Sequence, residues 1–404
     1  MNVSSVIKNI KEMSGVGVDL ILGRYPGFVY GKGLDDGQIP IFVFHSVEPD
    51  SFEKMLQFLA ENKYTTLTSE DLYRYHVDRN EKLPARSIML TFDDGMKSIW
   101  TFAYPLLKRY GFKATTFLIP GRINNETALS PTLDDVLVGK VKADDIRLES
   151  VNGYEALANW SEISAMHDSG VIDFQSHSNG HELIFTSPEI IGFLSPQSLA
   201  RYHEFEFPRE CFTQDMKKRD IPLGRPLYTT APRLSDELRY IDDLSLMQTC
   251  VDYVATQGEG FFDKQGWQAI LSKEVAQYQK GHPSVSRFET REEQKEAIYL
   301  DLQSSKLDIE KRLYGKTVRS LCFPWGVGSP MSLEIARSLG FVALYWGKVD
   351  GKLIYQRSDD PLKTSRIGED FFYLLPGNDR ESLINLVLRK LKRRLQQGSP
   401  FYSH

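Results

Sequence analysis

Two histidines four residues apart, His177 and His181, and two adjacent carboxylates, Asp93 and Asp94, are the residues of this chain best suited to chemistry. Two imidazoles plus one carboxylate make a three-ligand set that leaves a coordination position for water, as catalytic rather than structural zinc requires. The second carboxylate then serves as a base for that water. Each cluster follows a predicted strand: Asp93-Asp94-Gly95 after Ser87–Phe92, His177 after Val171–Gln175, His45 after Ile39–Phe44, and Pro324-Trp325-Gly326 after Ser320–Phe323. Adjacent aspartates recur at 35–36, 134–135, 144–145, 242–243 and 359–360, and these read as turns, where Asp is favoured. Asp93-Asp94 differs because a buried strand leads directly into it, and two carboxylates at the lip of a core are costly without a cation or hydrogen bonds.

The elements that must position these residues repeat one phrase, an amphipathic helix, a glycine and a β-rich apolar run. It occurs at Ser98–Tyr110, Gly111 and Ala114–Ile119; at Trp160–Ser169, Gly170 and Val171–Gln175; at Arg291–Tyr314, Gly315 and Val318–Phe323; and at Ser332–Leu339, Gly340 and Phe341–Trp346. The runs are continuously apolar, as expected of parallel strands buried on both faces. Strands alternating with helices predict an α/β fold, here a (β/α) barrel, whose active site collects at the C-terminal ends of the strands.

Composition is that of an ordinary globular protein, 41% hydrophobic and 25% charged. A formal charge of -5, from 49 basic and 54 acidic side chains, gives no basis for a nucleic-acid partner. Three cysteines without metal-type spacing, Cys211, Cys250 and Cys322, predict a reducing compartment and no disulfide framework. Met1–Lys11 has lysines but no following apolar stretch, and Val16–Leu22 is short and broken by Gly17 and Asp19. The expectation is therefore a cytoplasmic protein. Glu381–Gln397 places Leu383, Leu386, Val387, Leu391 and Leu395 at helical spacing beside Arg389, Lys390, Lys392, Arg393 and Arg394. Such a basic amphipathic helix either packs on the domain or makes a peripheral contact with the inner membrane face.

Thr91-Phe92-Asp93-Asp94-Gly95, Ser176-His177-Ser178-Asn179-Gly180-His181 and Cys322-Phe323-Pro324-Trp325-Gly326 resemble the first three motifs of the polysaccharide deacetylase family, the NodB-homology domain or carbohydrate esterase family 4. Ile39–Pro49, with the helix Phe52–Asn62 and Tyr64–Leu67, is similar to the opening of the permuted poly-N-acetylglucosamine deacetylase branch. The resemblance covers about Ile39–Pro120, Asn159–Phe185 and Glu292–Ile367, and implies a distorted (β/α) barrel. It also implies roles: Asp94, His177 and His181 as metal ligands, Asp93 as base, His45 as acid, the Pro324-Trp325 turn as groove wall, and the Trp325 backbone N–H at the oxyanion. The cofactor it implies is one divalent ion, zinc first, with Co2+, Ni2+, Fe2+ or Mn2+ as alternatives. The reaction is removal of an N-acetyl group from an amino sugar in a poly- or oligosaccharide or its precursor. Hydrolysis of a small non-carbohydrate amide, or an inactive sugar-binding module, are the alternatives. Many members carry an arginine that orients the base where this chain has Cys322, so Arg319 and Arg366 are the candidates to replace it; Cys322 itself reads as a buried small hydrophobe rather than a nucleophile.

The expected organisation is an N-terminal extension (1–38), a barrel (39–370) interrupted by a long, mainly helical insertion (about 184–290), and the C-terminal helix (371–404). Within the insertion, helical patterns run over Ser235–Thr256 and Gly266–Tyr278. Insertions on the C-terminal face of a barrel commonly shape the substrate site. This one is expected to form either a lid, with Arg225 and Arg233 meeting a phosphate or carboxylate, or an oligomer contact or structural buttress.

Overall fold

The computed structural model describes residues 18–77, 82–148, 150–151, 154–201, 206–211, 221–351, 353 and 355–397, with side chains left out at a few of these, among them 391–397. Four parallel strands open the fold: β1 (Ile41–Phe44), β2 (Thr65–Leu67), β3 (Ser87–Phe92) and β4 (Ala114–Leu118). They are followed by β5 (Ile172–Ser176), β6 (Ser320–Cys322), β7 (Ala343–Trp346), β8 (Thr364–Ser365) and β9 (Ile367–Gly368). The sheet runs β8-β7-β6-β5-β4-β3-β1-β9, with β2 added on β3. Because β8 and β9 are separated only by Arg366, the segment 364–368 bonds β7 on one side and β1 on the other. The sheet is thereby curled into a nearly closed, distorted barrel, the predicted (β/α) type.

Alternation along each strand explains why the runs read as uniformly apolar. One set of positions, among them Ile41, Met89, Phe117, Cys322 and Tyr345, forms a small interior core. The intervening set, among them Phe42, Phe44, Leu90, Phe92, Phe174, Leu321 and Leu344, joins the larger core beneath the surrounding helices. The principal helices are α1 (Pro49–Glu61), α2 (Ser69–Val77), α3 (Tyr104–Tyr110), α4 (Trp160–Asp168), α5 (Arg291–Arg312) and α6 (Pro330–Ser338). Capping residues start several of them. The Asn159 side chain accepts from the Glu162 N–H at 3.0 Å on α4, and Thr290 Oγ1 accepts from the Glu293 N–H at 3.2 Å on α5. Helix α2 plugs the barrel at the N-terminal end of its strands. Leu72 and Tyr75 enter the interior core, and the Ser69 N–H donates to Thr115 Oγ1 at 2.8 Å.

Residues ahead of β1 belong to the same core. Phe28 and Val29 are fully buried, and the Tyr25 ring lies 4.6 Å from that of Phe371. The region 184–290 adds helices at Leu244–Gln257 and Trp267–Gly281 and, unanticipated from sequence, an antiparallel hairpin of Leu183–Phe193 with Pro226–Pro232. Two register shifts and Pro188 break the alternation that would have marked the longer strand. Ser235–Asp243, expected to be helical, holds instead the short strand Tyr240–Ile241. At the C-terminus a helix spans Leu383–Gln397. It buries Leu386 and leaves Ile384 and Leu388 exposed; Arg389 pairs with Glu381 and Lys390 with Asp370. The side chains of Leu391, Lys392, Arg393, Arg394 and Leu395, like residues 1–17, lie outside the described residues. Among the described residues no helix is long and apolar enough to cross a membrane.

Candidate active site

Strand β3 delivers the aspartates. Asp93 extends the β1–β3 ladder by one step, its N–H donating to the Phe44 carbonyl at 2.9 Å. The chain then turns through two left-handed residues, Asp94 (φ 69°) and Gly95 (φ 83°). A side chain at Gly95 would start 2.8 Å from Leu118 Cδ2, so the turn accepts only glycine without rearrangement. The Leu118 carbonyl, at the end of β4, in turn accepts the N–H of His177 at 2.8 Å. His177 and His181 sit on a loop rather than a helical turn, because Ser178 (φ 65°) and His181 (φ 49°) are both left-handed. Their rings nevertheless come within 5.0 Å of each other. Trp325 (φ 54°) is the fourth such residue here, so half of the eight positive-φ non-glycine positions among the described residues lie in one site. Backbone strain concentrated in this way marks functional positions.

Asp94 Oδ1 lies 3.6 Å from His177 Nε2 and 3.7 Å from His181 Nε2. It is buried without a hydrogen-bond partner, and one ligand atom from each of the three residues lies within 4.8 Å of the others. His177 Nδ1 meets the Cys322 carbonyl at 2.8 Å. A carbonyl only accepts, so the imidazole proton resides on Nδ1 and the Nε2 lone pair faces Asp94. Burial and the neighbouring Asp93 charge push the Asp94 carboxyl up to about 8, against the pull of Arg122 and Arg366. A buried carboxylate oxygen facing two imidazole nitrogens is costly by itself and is satisfied by a cation. The donor set of two nitrogens and one oxygen therefore fits a divalent metal such as zinc.

Asp93 is placed differently. Burial would raise its carboxyl, but Arg366 outweighs that and holds it far below the usual carboxylate range, with help from His177 and His45. The guanidinium grips both oxygens at 2.7 Å, touches Thr91 Oγ1 at 3.3 Å, and lies over the Phe117 ring. Of the two candidates for orienting the base, Arg366 is therefore the one that reaches it. Arg319 corrects the other expectation. It stands just before β6, at the opposite end of the barrel, where it pairs with Glu70 at 3.0 Å and covers Tyr73.

Cys322 Sγ is 3.9 Å from Asp93 Oδ2, and Asp93, His177 and Cys322 could be drawn as a second ligand triad. Burial pushes the Cys322 thiol well up, and Asp93 is committed to Arg366, so the Asp94 set is the better match. His45, half-buried at the end of β1, has its imidazole lowered by burial and by the charges of Arg366 and His177, with Asp93 opposing. Its place in the cluster follows from its position directly after β1, whose neighbour β3 carries Asp93. Pro324 is buried and Trp325 partly exposed; the indole packs 4.0 Å from the His181 ring.

Five strand ends thus contribute to one cluster, at the end of the barrel where such folds place their sites. Residues 80–212 match the family model for polysaccharide deacetylase. This stretch of the chain is similar to the polysaccharide deacetylase family. A Bacillus subtilis relative, the putative polysaccharide deacetylase YxkH, is 32% identical over 101 residues, 23% of this chain and 36% of that protein. The poly-beta-1,6-N-acetyl-D-glucosamine N-deacetylase of Staphylococcus aureus is 34% identical over 82 residues, 20% of this chain and 28% of that protein. The chain thus spans about a third of the length of the curated relatives it matches. A solved de-N-acetylase from Aggregatibacter actinomycetemcomitans has the same fold, with a TM-score of 0.50 at 13% identity, covering 86% of this chain and 99% of that one.

In the region 184–290 the two arginines have other work than binding a ligand. Arg225 pairs with Asp242 at 3.1 Å, and Arg233 makes a bidentate pair with Glu289 at 2.8 and 2.9 Å, both fully inside the protein. The Arg233 N–H also donates to the Glu182 carbonyl at 2.8 Å, just beyond His181. These contacts favour a buttress over an anion-binding lid. The Cys322 carbonyl that orients His177 escaped sequence reasoning because a backbone group carries no side-chain signature.

Proposed function

We propose that this chain is a metal-dependent N-deacetylase that removes acetyl groups from amino sugars in a poly- or oligosaccharide or its precursor. The observation that carries the proposal is the unsatisfied Asp94 oxygen facing two imidazole nitrogens, with a separately neutralised Asp93 alongside. Asp94, His177 and His181 would hold the ion, which when bound supplies a Lewis acid for the amide oxygen and for water. Asp93 takes the proton of the attacking water. Arg366 keeps Asp93 ionised and fixes the direction of both its oxygens, so that the base enters the reaction already oriented. Negative charge that develops on the amide oxygen needs donors in place beforehand, and the Trp325 backbone N–H is the group assigned to it. His45 carries a proton to the departing amine, because an amide anion is a very poor leaving group. The products are acetate and a free amino sugar.

The test couples metal analysis to acetate release. Purified protein should contain about one divalent ion per chain and release acetate from N-acetylated oligosaccharides in preference to small amides. Asp94→Ala should lose both metal and turnover. Retention of both would end the ligand assignment, and preference for a small amide would end the carbohydrate assignment.

A further inference from the structure

The loop that carries both histidines is strained at Ser178 and His181, and something outside it must hold it. At its centre, every backbone polar group of Asn179 and Gly180 is engaged by another element. Asp301, on α5, accepts the Asn179 N–H on Oδ2 at 3.2 Å and the Gly180 N–H on Oδ1 at 3.0 Å. From the segment after β4, the Gly121 N–H donates to the Asn179 carbonyl at 3.0 Å, and Arg122 Nε donates to the Gly180 carbonyl at 2.6 Å. A side chain at Gly121 would start 2.6 Å from the Asn179 carbonyl oxygen, so the approach is as close as backbone allows. One turn along α5, Ser305 Oγ bonds Ser176 Oγ at 2.7 Å, and Ser176 Oγ accepts the Ser178 N–H at 3.3 Å. Asp301 and Ser305, at i and i+4, thus share one helix face, and that face grips the loop at both levels.

We propose that Asp301 is a positioning residue for the metal centre: its carboxylate, by binding two successive N–H groups between His177 and His181, sets the loop conformation that points both imidazoles at Asp94. Helix α5 supplies none of the three ligands, but it reaches the end of β5, next to His177, through Ser305 and Ser176. Two N–H groups bound to one carboxyl group are directional, and charge-assisted when it is ionised, which burial and the Glu182 charge oppose by raising it to about 7; outer groups that orient ligands typically change metal affinity by about 10–100-fold when removed. The inference rests on the metal reading of Asp94, His177 and His181.

The experiment is zinc titration against a competing chelator on folded protein, well below its melting temperature. Asp301→Ala should weaken zinc binding about 10–100-fold. Asp301→Asn, which keeps one acceptor but turns an amide N–H toward the second donor, should weaken it as well. At saturating zinc the substrate KM should stay near wild type. Leu302→Ala, which opens the core at the next residue of α5, serves as the structural control: it should lower Tm without moving zinc affinity. Zinc affinity of both Asp301 variants within about threefold of wild type would overturn the inference, as would an equal loss in Leu302→Ala. Should neither Asp301 variant fold, amide exchange in the wild type decides, since the clamp requires slow exchange at Asn179 and Gly180 and fast exchange would overturn it. Failure of the wild type itself to bind any divalent ion is a different result, one that removes the metal reading rather than the role of Asp301.

Discussion

Replacing Arg366 with Met tests the electrostatic design of the site most directly. The guanidinium is almost wholly buried and makes two 2.7 Å bonds to an equally buried Asp93. Removing one partner of such a pair leaves an uncompensated charge in the interior, which typically costs about 3–5 kcal/mol. With an unfolding entropy of about 2.1 cal/mol/K per residue, a chain of 404 residues unfolds with roughly 0.85 kcal/mol/K, so the expected fall in Tm is about 4–6 °C. Thermal melts followed by circular dichroism, with chelator present so that metal binding adds nothing, would read this. Arg319→Met is the matched control. Its pair with Glu70 is substantially exposed, and the expected loss is under about 1 kcal/mol, or roughly 1 °C. In a double-mutant cycle, Asp93→Asn with Arg366→Met should be less destabilised than the sum of the single changes by about 1–3 kcal/mol, because no lone charge remains. Equal shifts for Arg366→Met and Arg319→Met, or strict additivity with Asp93→Asn, would refute the reasoning.

Three further outcomes are expected. In chelator-treated protein, Asp94 is raised to about 8 from an unfolded value near 3.8. The native state therefore holds its proton more tightly, and the Asp94 contribution to stability falls as pH rises from about 4 towards 8. Asp94→Asn should flatten that decline and melt higher than wild type at pH 8; an identical pH dependence of Tm in the two proteins would count against the burial of this carboxylate. His45→Ala should lower kcat by about 10²–10⁴-fold while leaving bound metal unchanged, measured by acetate release and metal analysis; loss of metal would show that His45 is a ligand instead. Gly326→Ala should destabilise by about 1–3 kcal/mol in denaturant titration, since its φ is 66° and the new Cβ would start 2.8 Å from the Gly347 backbone nitrogen; a neutral result would mean that the Trp325 turn is more plastic than it looks.

Much of this was legible in the sequence because parallel strands covered on both faces leave apolar runs whose ends are sharp. Ser87–Phe92 is the clearest case, and the aspartates follow it without a gap. The choice between Arg319 and Arg366 was readable by the same rule. Arg319 precedes its strand and so belongs to the far end of the barrel, whereas Arg366 follows Thr364-Ser365 and belongs with the site. What composition could not reveal were pairings across long separations. Arg225 and Arg233 have the residue type of anion binders, and only the fold supplies Asp242 and Glu289 to neutralise them. The clamp at Asp301 was hidden for a related reason: an aspartate in the middle of a strongly charged helix looks like solvated surface until the loop it holds is seen beside it.

Arg366 lies in the segment 364–368 that bonds both β7 and β1. The counter-ion of the base therefore arrives with the last staves of the cylinder. A chain emerging from the ribosome would already have made Asp93, Asp94 and both histidines, yet its sheet would still have two bare flanks and an acid group with no cation to face. Closure of the sheet and neutralisation of Asp93 are tied to one short stretch, so a chain that lacks it lacks both.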